Sequence, residues 1–145
     1  MQALYVAFKG DGNSSNKIVR SLSGDKLFLT NSYNGLKKDI DHIDGTYDVV
    51  YMFGLDKRLK GNVRIECVAQ RGEECLYSDV DIHSIALALN KSGMITYVGN
   101  TPIQSLCNEA YWHMLKKYNC HVVFFHVPSI KYITDSFIDK VRTVL

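Results

Sequence analysis

Six short runs along the chain, ALYVAF, DKLFLT, YDVVYMF, VRIECVA, MITYVG and HVVFFHV, are apolar or alternating and rich in β-branched and aromatic residues. Each is closed by Gly, Asn, Pro or a charge, the pattern of buried or half-buried strands. Between and after them, residues 15–22, 33–43, 80–91, 103–118 and 130–144 carry helical period. In the last of these, Ile130, Ile133, Phe137, Val141 and Val144 step by 3, 4, 4 and 3, which stacks them on one helix face. Strands that alternate with helices predict an α/β fold in three layers, a mostly parallel sheet covered on both faces. The charged loop LDKRLKG joins YDVVYMF to VRIECVA without a helix. Those two strands are therefore expected to run antiparallel and the sheet to be mixed. The polar stretch QRGEECLYSD, residues 70–79, is expected to be the longest loop. In sheets of this kind ligands collect beyond the carboxyl ends of the strands, so residues just past strand ends carry the functional weight.

Composition narrows the class without changing the fold. The chain has 145 residues, 46% of them hydrophobic, which suits a single α/β domain over residues 1–145. Seventeen basic against fifteen acidic residues leave a net charge of +2. No basic cluster is present that would release counterions from a phosphate backbone, which argues against nucleic acid as a partner. The opening MQALYVAFKG has no basic n-region, and no apolar run is long enough to span a bilayer. The expectation is a cytoplasmic protein with no membrane partner. In that compartment Cys67, Cys75, Cys107 and Cys120 are expected to be free thiols. No C-x2-C occurs, and His121 and His126 fall on opposite faces of one strand, so neither a metal nor another cofactor is expected.

Three residues carry candidate chemistry. Thr101, Pro102 and Gln104 read as a capping box that starts a helix running to about Tyr118, with Cys107 in its second turn. There Cys107 shares a stripe with Ile103, Tyr111 and Leu115 and reads either as a small buried hydrophobe or as a reactive thiol. Because the dipole effect fades after the first turn, a reactive Cys107 prefers a helix that starts nearer Ser105. His126 closes the most apolar strand just before Pro128, either as a half-buried histidine bonded to backbone or as an imidazole delivered to the ligand edge. Glu66 interrupts VRIECVA; it either faces water on an edge strand or is buried with a partner such as His126. His42, His83, His113 and His121 lie in polar stretches, on helix flanks or at a strand's beginning and read as structural. The loop FKGDGNSSNK after the first strand offers glycines and a helix start for an oxyanion or phosphate, yet lacks a complete nucleotide fingerprint.

Taken in order, these fragments resemble the pyroglutamyl peptidase I family, cysteine peptidases that remove an N-terminal pyroglutamate. GNTPIQSLCN, residues 99–108, aligns without a gap to that family's S-N-S-A-G-T-Y-V-C-N. FFHVPS is similar to F-I-H-V-P, VRIECVAQ to I-x-x-E-R-V-A-I-N, and FKGDGNSSN to F-E-P-F-G-G followed by Asn. The resemblance implies a pyroglutamyl peptidase-like fold in a short, divergent member of the family. It implies Cys107 as nucleophile, His126 as general base and acid, and Glu66 as the orienting carboxylate. It also implies a peptide or small amide substrate, and it allows a homo-oligomer. Phe8, Asp11 and Leu55 fall on substrate-binding positions; Asp11 stands where the family has a second aromatic, and Leu55 where it has the glutamine that recognises the lactam. A pocket that loses such a polar partner loses discrimination, so a different small acyl group is expected. The alternatives are a catalytically inactive binding or regulatory protein on the same scaffold, and a phosphate or nucleotide binder that uses the loop at residues 10–16.

Overall fold

Residues 1–102 and 105–145 are described by a computed structural model. Its main sheet has six strands: β1 (Ala3–Phe8), β2 (Asp25–Leu29), β3 (Val49–Leu55), β4 (Val63–Glu66), β7 (Thr96–Gly99) and β8 (Val122–Val127). A separate hairpin pairs β5 (Val68–Arg71) with β6 (Glu74–Tyr77). The helices are α1 (Ser14–Arg20), α2 (Tyr33–Asp41), α3 (Ile82–Lys91), α4 (Leu106–Lys117) and α5 (Asp135–Val144). Strand order in the main sheet is β2-β1-β3-β8-β4-β7. Neighbours run parallel except β8 and β4, which are antiparallel.

Each face of the sheet buries its own apolar layer. Ala7, Phe53, Ile65, Val123, Phe125 and Val127 point toward α1, α3 and α5, where they meet Ile18, Leu89, Phe137 and Val141. The alternate residues Leu4, Val6, Val50, Met52, Val122 and Phe124 meet Leu36 and Ile40 of α2 and Tyr111, Met114 and Leu115 of α4. All six residues of β8 are buried, as its unbroken apolar run requires of a strand covered on both sides. The architecture is thus the three-layer, mixed, mostly parallel α/β fold expected. β3 and β4 do run in opposite senses, but β8 lies between them, so the loop joining them crosses a strand. No helix among the described residues is long and apolar enough to cross a membrane.

Four features depart most from expectation, each for a local reason. The run VRIECVA divides at Cys67, whose amide donates to Gly99 O at 3.0 Å while its carbonyl accepts from Ser78 N at 3.1 Å, so the chain leaves the main sheet there. The stretch expected as the longest loop therefore forms most of the hairpin, turned by Gly72 and Glu73 with Gly72 at φ +61°. Helix α5 starts at Asp135 rather than at Ile130. Thr134 Oγ1 caps it by accepting from Phe137 N at 3.2 Å, and Ile130 lies exposed in a preceding 3-10 turn, Ile130–Tyr132. Helix α4 begins at Leu106 with Ser105 as its N-cap, not at Thr101; Ile103 and Gln104, and with Gln104 the expected capping box, lie outside the described residues.

Candidate active site

Strand register brings the chemistry together. In the antiparallel pair Arg64 lies opposite His126 and Glu66 opposite Phe124, while Gly54 of β3 lies beside His126 and Gly99 of β7 beside Glu66. Because side chains alternate with period two, Arg64, Glu66, Phe124 and His126 share the face that α4 covers. His126 Nδ1 stands 3.6 Å from Glu66 Oε1, both side chains being almost fully buried. The first turn of α4 then sets Cys107 over the end of β3, so close that a Cβ added to Gly54 would lie 2.7 Å from Sγ and 2.7 Å from Phe124 Cζ. Gly99 plays the same part for the acid: a Cβ there would come within 2.8 Å of Glu66 Oε1. Two missing side chains, one on β3 and one on β7, thus make room for the sulfur and the carboxylate.

Cys107 and His126 both border a surface cleft of about 360 Å³, together with Leu55, Asp56, Lys57, Arg58, Ser105 and Leu106. Behind them lies a much smaller cavity, about 10 Å³, lined by Glu66, Val68, Cys107, Asn108, Tyr111, Phe124 and His126. Tyr111 Oη donates to Glu66 O at 2.9 Å and so holds the end of β4 against α4. Asn108 grips the hairpin through Gln70: its Oδ1 accepts from Gln70 N at 3.0 Å, and its Nδ2 donates to Gln70 O at 2.8 Å. Cys107, expected in the second turn of its helix, is in the structure the second helical residue. Its own amide and that of Leu106 therefore have no acceptor inside the helix, at the end of α4 that borders the cleft.

Charge in the site is organised by Arg64, a residue outside the three that carry the candidate chemistry in the sequence. Arg64 Nε donates to Glu66 Oε1, and its Nη2 donates to Asp56 Oδ2 at 2.9 Å and lies 3.3 Å from His126 Nδ1. Arg58 holds the other side of Asp56 through Nε and Nη2, each at 3.0 Å. Asp56 is accordingly kept well below the usual carboxylate range, chiefly by its hydrogen bond with Arg58 and then by Arg64, against the effect of burial. For Glu66, burial pushes the carboxyl up, but contact with His126 and Arg64 outweighs it and the group stays ionised below its ordinary value. Burial pushes the Cys107 thiol up to about 12; a hydrogen bond from Ser105 pulls the other way, and the charges of Asp56 and Glu66 add to the rise. At neutral pH the resting sulfur is a thiol. The clue to Arg64 was its spacing, a cation two residues before a buried carboxylate on the same strand face.

The substrate-binding candidates separate. Leu55 ends β3 and lines the cleft with Cys107 and His126. Phe8 is buried in the core under α2 and α4, and Asp11 is exposed beyond the end of β1, one strand further from His126 than β3; neither is among the described residues that line the cleft. The loop after β1 is engaged with the fold. Asn13 Oδ1 caps α1 by accepting from Ser15 N at 2.9 Å, and Asn16 Nδ2 donates to Phe8 O at 3.1 Å.

Solved structures of pyrrolidone carboxyl peptidases share this fold. The enzyme from Thermus thermophilus matches with a TM-score of 0.79 at 14% identity, over 99% of this chain and 97% of that one. That from Thermococcus litoralis matches at 0.77 with 15% identity, over 99% and 90%. That from Fervidobacterium islandicum AW-1 matches at 0.76 with 19% identity, over 99% and 94%. No protein-family model matches the sequence, and no curated protein matches it significantly. At these identities the likeness is one of architecture, and it runs nearly end to end: the chain has the fold of the pyrrolidone carboxyl peptidases.

Proposed function

We propose that this chain is a cysteine hydrolase that releases a small N-terminal acyl group from a peptide or amide. The reading is supported above all by one observation: Cys107 and His126 border the same cleft, and His126 Nδ1 faces the Glu66 carboxylate. The fold shared with proteins named pyrrolidone carboxyl peptidases points the same way. A cleft of about 360 Å³ suits a small ligand.

In the proposed reaction His126 Nε2 takes the proton from Cys107 Sγ as sulfur attacks the carbonyl carbon. A C–S bond forms, and the carbonyl electron pair moves to oxygen, where the first-turn amides of α4 steady it. Collapse of this intermediate breaks the C–N bond, and His126 passes its proton to the leaving amine. Water, deprotonated by the same imidazole, then cleaves the thioester to a carboxylic acid and restores the thiol. Glu66 accepts from Nδ1–H during the cycle and steadies the imidazolium. A thiol that is neutral at rest fits general-base activation during attack rather than a standing thiolate.

Leu55 at the cleft offers no hydrogen bond to a lactam, so pyroglutamyl amides are expected to be poor substrates beside other small acyl amides. Turnover of an amide and ester panel by the intact protein, lost in Cys107→Ala and in His126→Ala, is the test. Activity that survives in Cys107→Ala would overturn the reading. The alternative, a binding or regulatory protein that has lost catalysis, is the conclusion if the whole panel is inert.

A further inference from the structure

Arg64 occupies the place where a hydrolytic site needs its acid and imidazole to meet. Its guanidinium bridges Glu66 and Asp56, and the same Nη2 that donates to Asp56 lies 3.3 Å from His126 Nδ1. At 3.6 Å the direct contact between Nδ1 and Glu66 Oε1 is longer than a hydrogen bond, whereas the contact with Nη2 is within range. A guanidinium only donates, so whatever faces it must accept. Nδ1 can accept from Nη2 only without a proton, and a neutral imidazole must then carry its proton on Nε2. That is the opposite of the form needed to draw a proton from Cys107, and in a hydrolytic triad the wrong tautomer costs about 10⁴-fold in turnover.

We propose that Arg64 is a positioning residue that latches the resting site: it holds Glu66 and Asp56 together and fixes His126 as the Nε2–H tautomer. The proposal rests on the reading of Cys107, His126 and Glu66 as a hydrolytic set. Turning the site on then requires the guanidinium to leave Nδ1, which lets Nδ1–H pair with Glu66 and frees the Nε2 lone pair for the thiol proton. The other charged or titratable groups around the imidazole are Asp56, Lys57 and Arg58 along the cleft, Glu66 in the adjoining strand, and Cys107 and Tyr111 from α4. Lys57 and Arg58 line the cleft, whereas Arg64 is the cation that the structure sets against Nδ1.

The test reads the imidazole and the sulfur directly and needs no substrate. Long-range proton–nitrogen correlation on histidine-labelled protein, with His126 assigned by its loss in His126→Gln, is expected to show Nε2 protonated and Nδ1 bare. In Arg64→Met the proton is expected on Nδ1, and alkylation of Cys107 by iodoacetamide at pH 7, followed peptide by peptide, is expected to quicken at least about tenfold. The gain should vanish in Arg64→Met combined with Glu66→Gln, because the effect runs through that carboxylate. Nδ1–H in the unmodified protein overturns the latch, even if Arg64→Met does not fold. Alkylation unchanged in a folded Arg64→Met overturns it as well. A panel of inert substrates with the expected tautomers would remove the hydrolase reading and leave the latch standing, while turnover with Nδ1–H at rest would do the reverse.

Discussion

Gly54 of β3 and Cys107 of α4 are packed so tightly that the space of one methyl group separates a seated sulfur from a displaced one. Gly54→Ala is expected to cost about 1–3 kcal/mol, the usual penalty of overpacking, because the new Cβ meets both Sγ and the ring of Phe124. Urea unfolding gives the stability, and alkylation of Cys107 reports the sulfur's displacement. A neutral substitution would mean that the first turn of α4 is not docked on β3.

Gly99→Ala probes the other clearance. Its Cβ would press on Glu66 Oε1 and Oε2 and on Arg64 Cδ, so the carboxylate and the guanidinium stem must shift from the positions they hold beside His126. Under the proposed function, turnover falls by at least about tenfold while substrate binding changes little, since the group moved acts on the imidazole rather than on substrate. A rise in KM with kcat unchanged would contradict this.

Asn108 ties the hairpin to α4 with two hydrogen bonds to one residue. Asn108→Ala leaves both backbone groups of Gln70 without those partners, at a cost of about 1–3 kcal/mol for each that stays buried. Hydrogen exchange over residues 68–77 is expected to accelerate more than in the main sheet. Uniform acceleration throughout the chain would show instead that the hairpin opens only with the whole fold.

Acid should unfold the protein through its bridged carboxylates. Folding lowers the ionisation midpoints of Asp56 and Glu66, so the unfolded chain binds protons that the folded chain refuses. Their stabilisation is complete above the ordinary carboxylate values, near 4, and is lost as pH falls toward the folded-state values. Asp56→Asn is expected to flatten this acid limb when urea midpoints are followed from about pH 5 to pH 2. A limb as steep as that of the unmodified protein would assign it to other groups.

Much of this arrangement is written in local pattern. The unbroken apolar run of HVVFFHV specified a strand buried on both sides, and Pro128 marked where its pairing must end, which together set His126 at the ligand edge. The helix after Gly99 was visible, but its start was not: Thr101, Pro102 and Gln104 make a strong capping signal, yet the first turn lies where Leu106 and Cys107 dock on the sheet. The break at Cys67 was hidden because both halves of VRIECVA have strand character, and only the distant partners Gly99 and Ser78 divide them. Arg64 shows the limit most clearly. Sequence gives its charge and its face, whereas its place beside His126 depends on which strand β4 joins and in what register, a relationship between residues 62 positions apart.

Mass spectrometry of Cys107 during turnover of activated small acyl esters and amides tests the central claim most directly. An acyl adduct on Cys107 that forms in the intact protein, decays on hydrolysis and fails to form in His126→Ala is the expected result. Substrate cleaved without any adduct on Cys107, or at an undiminished rate in Cys107→Ala, would contradict it.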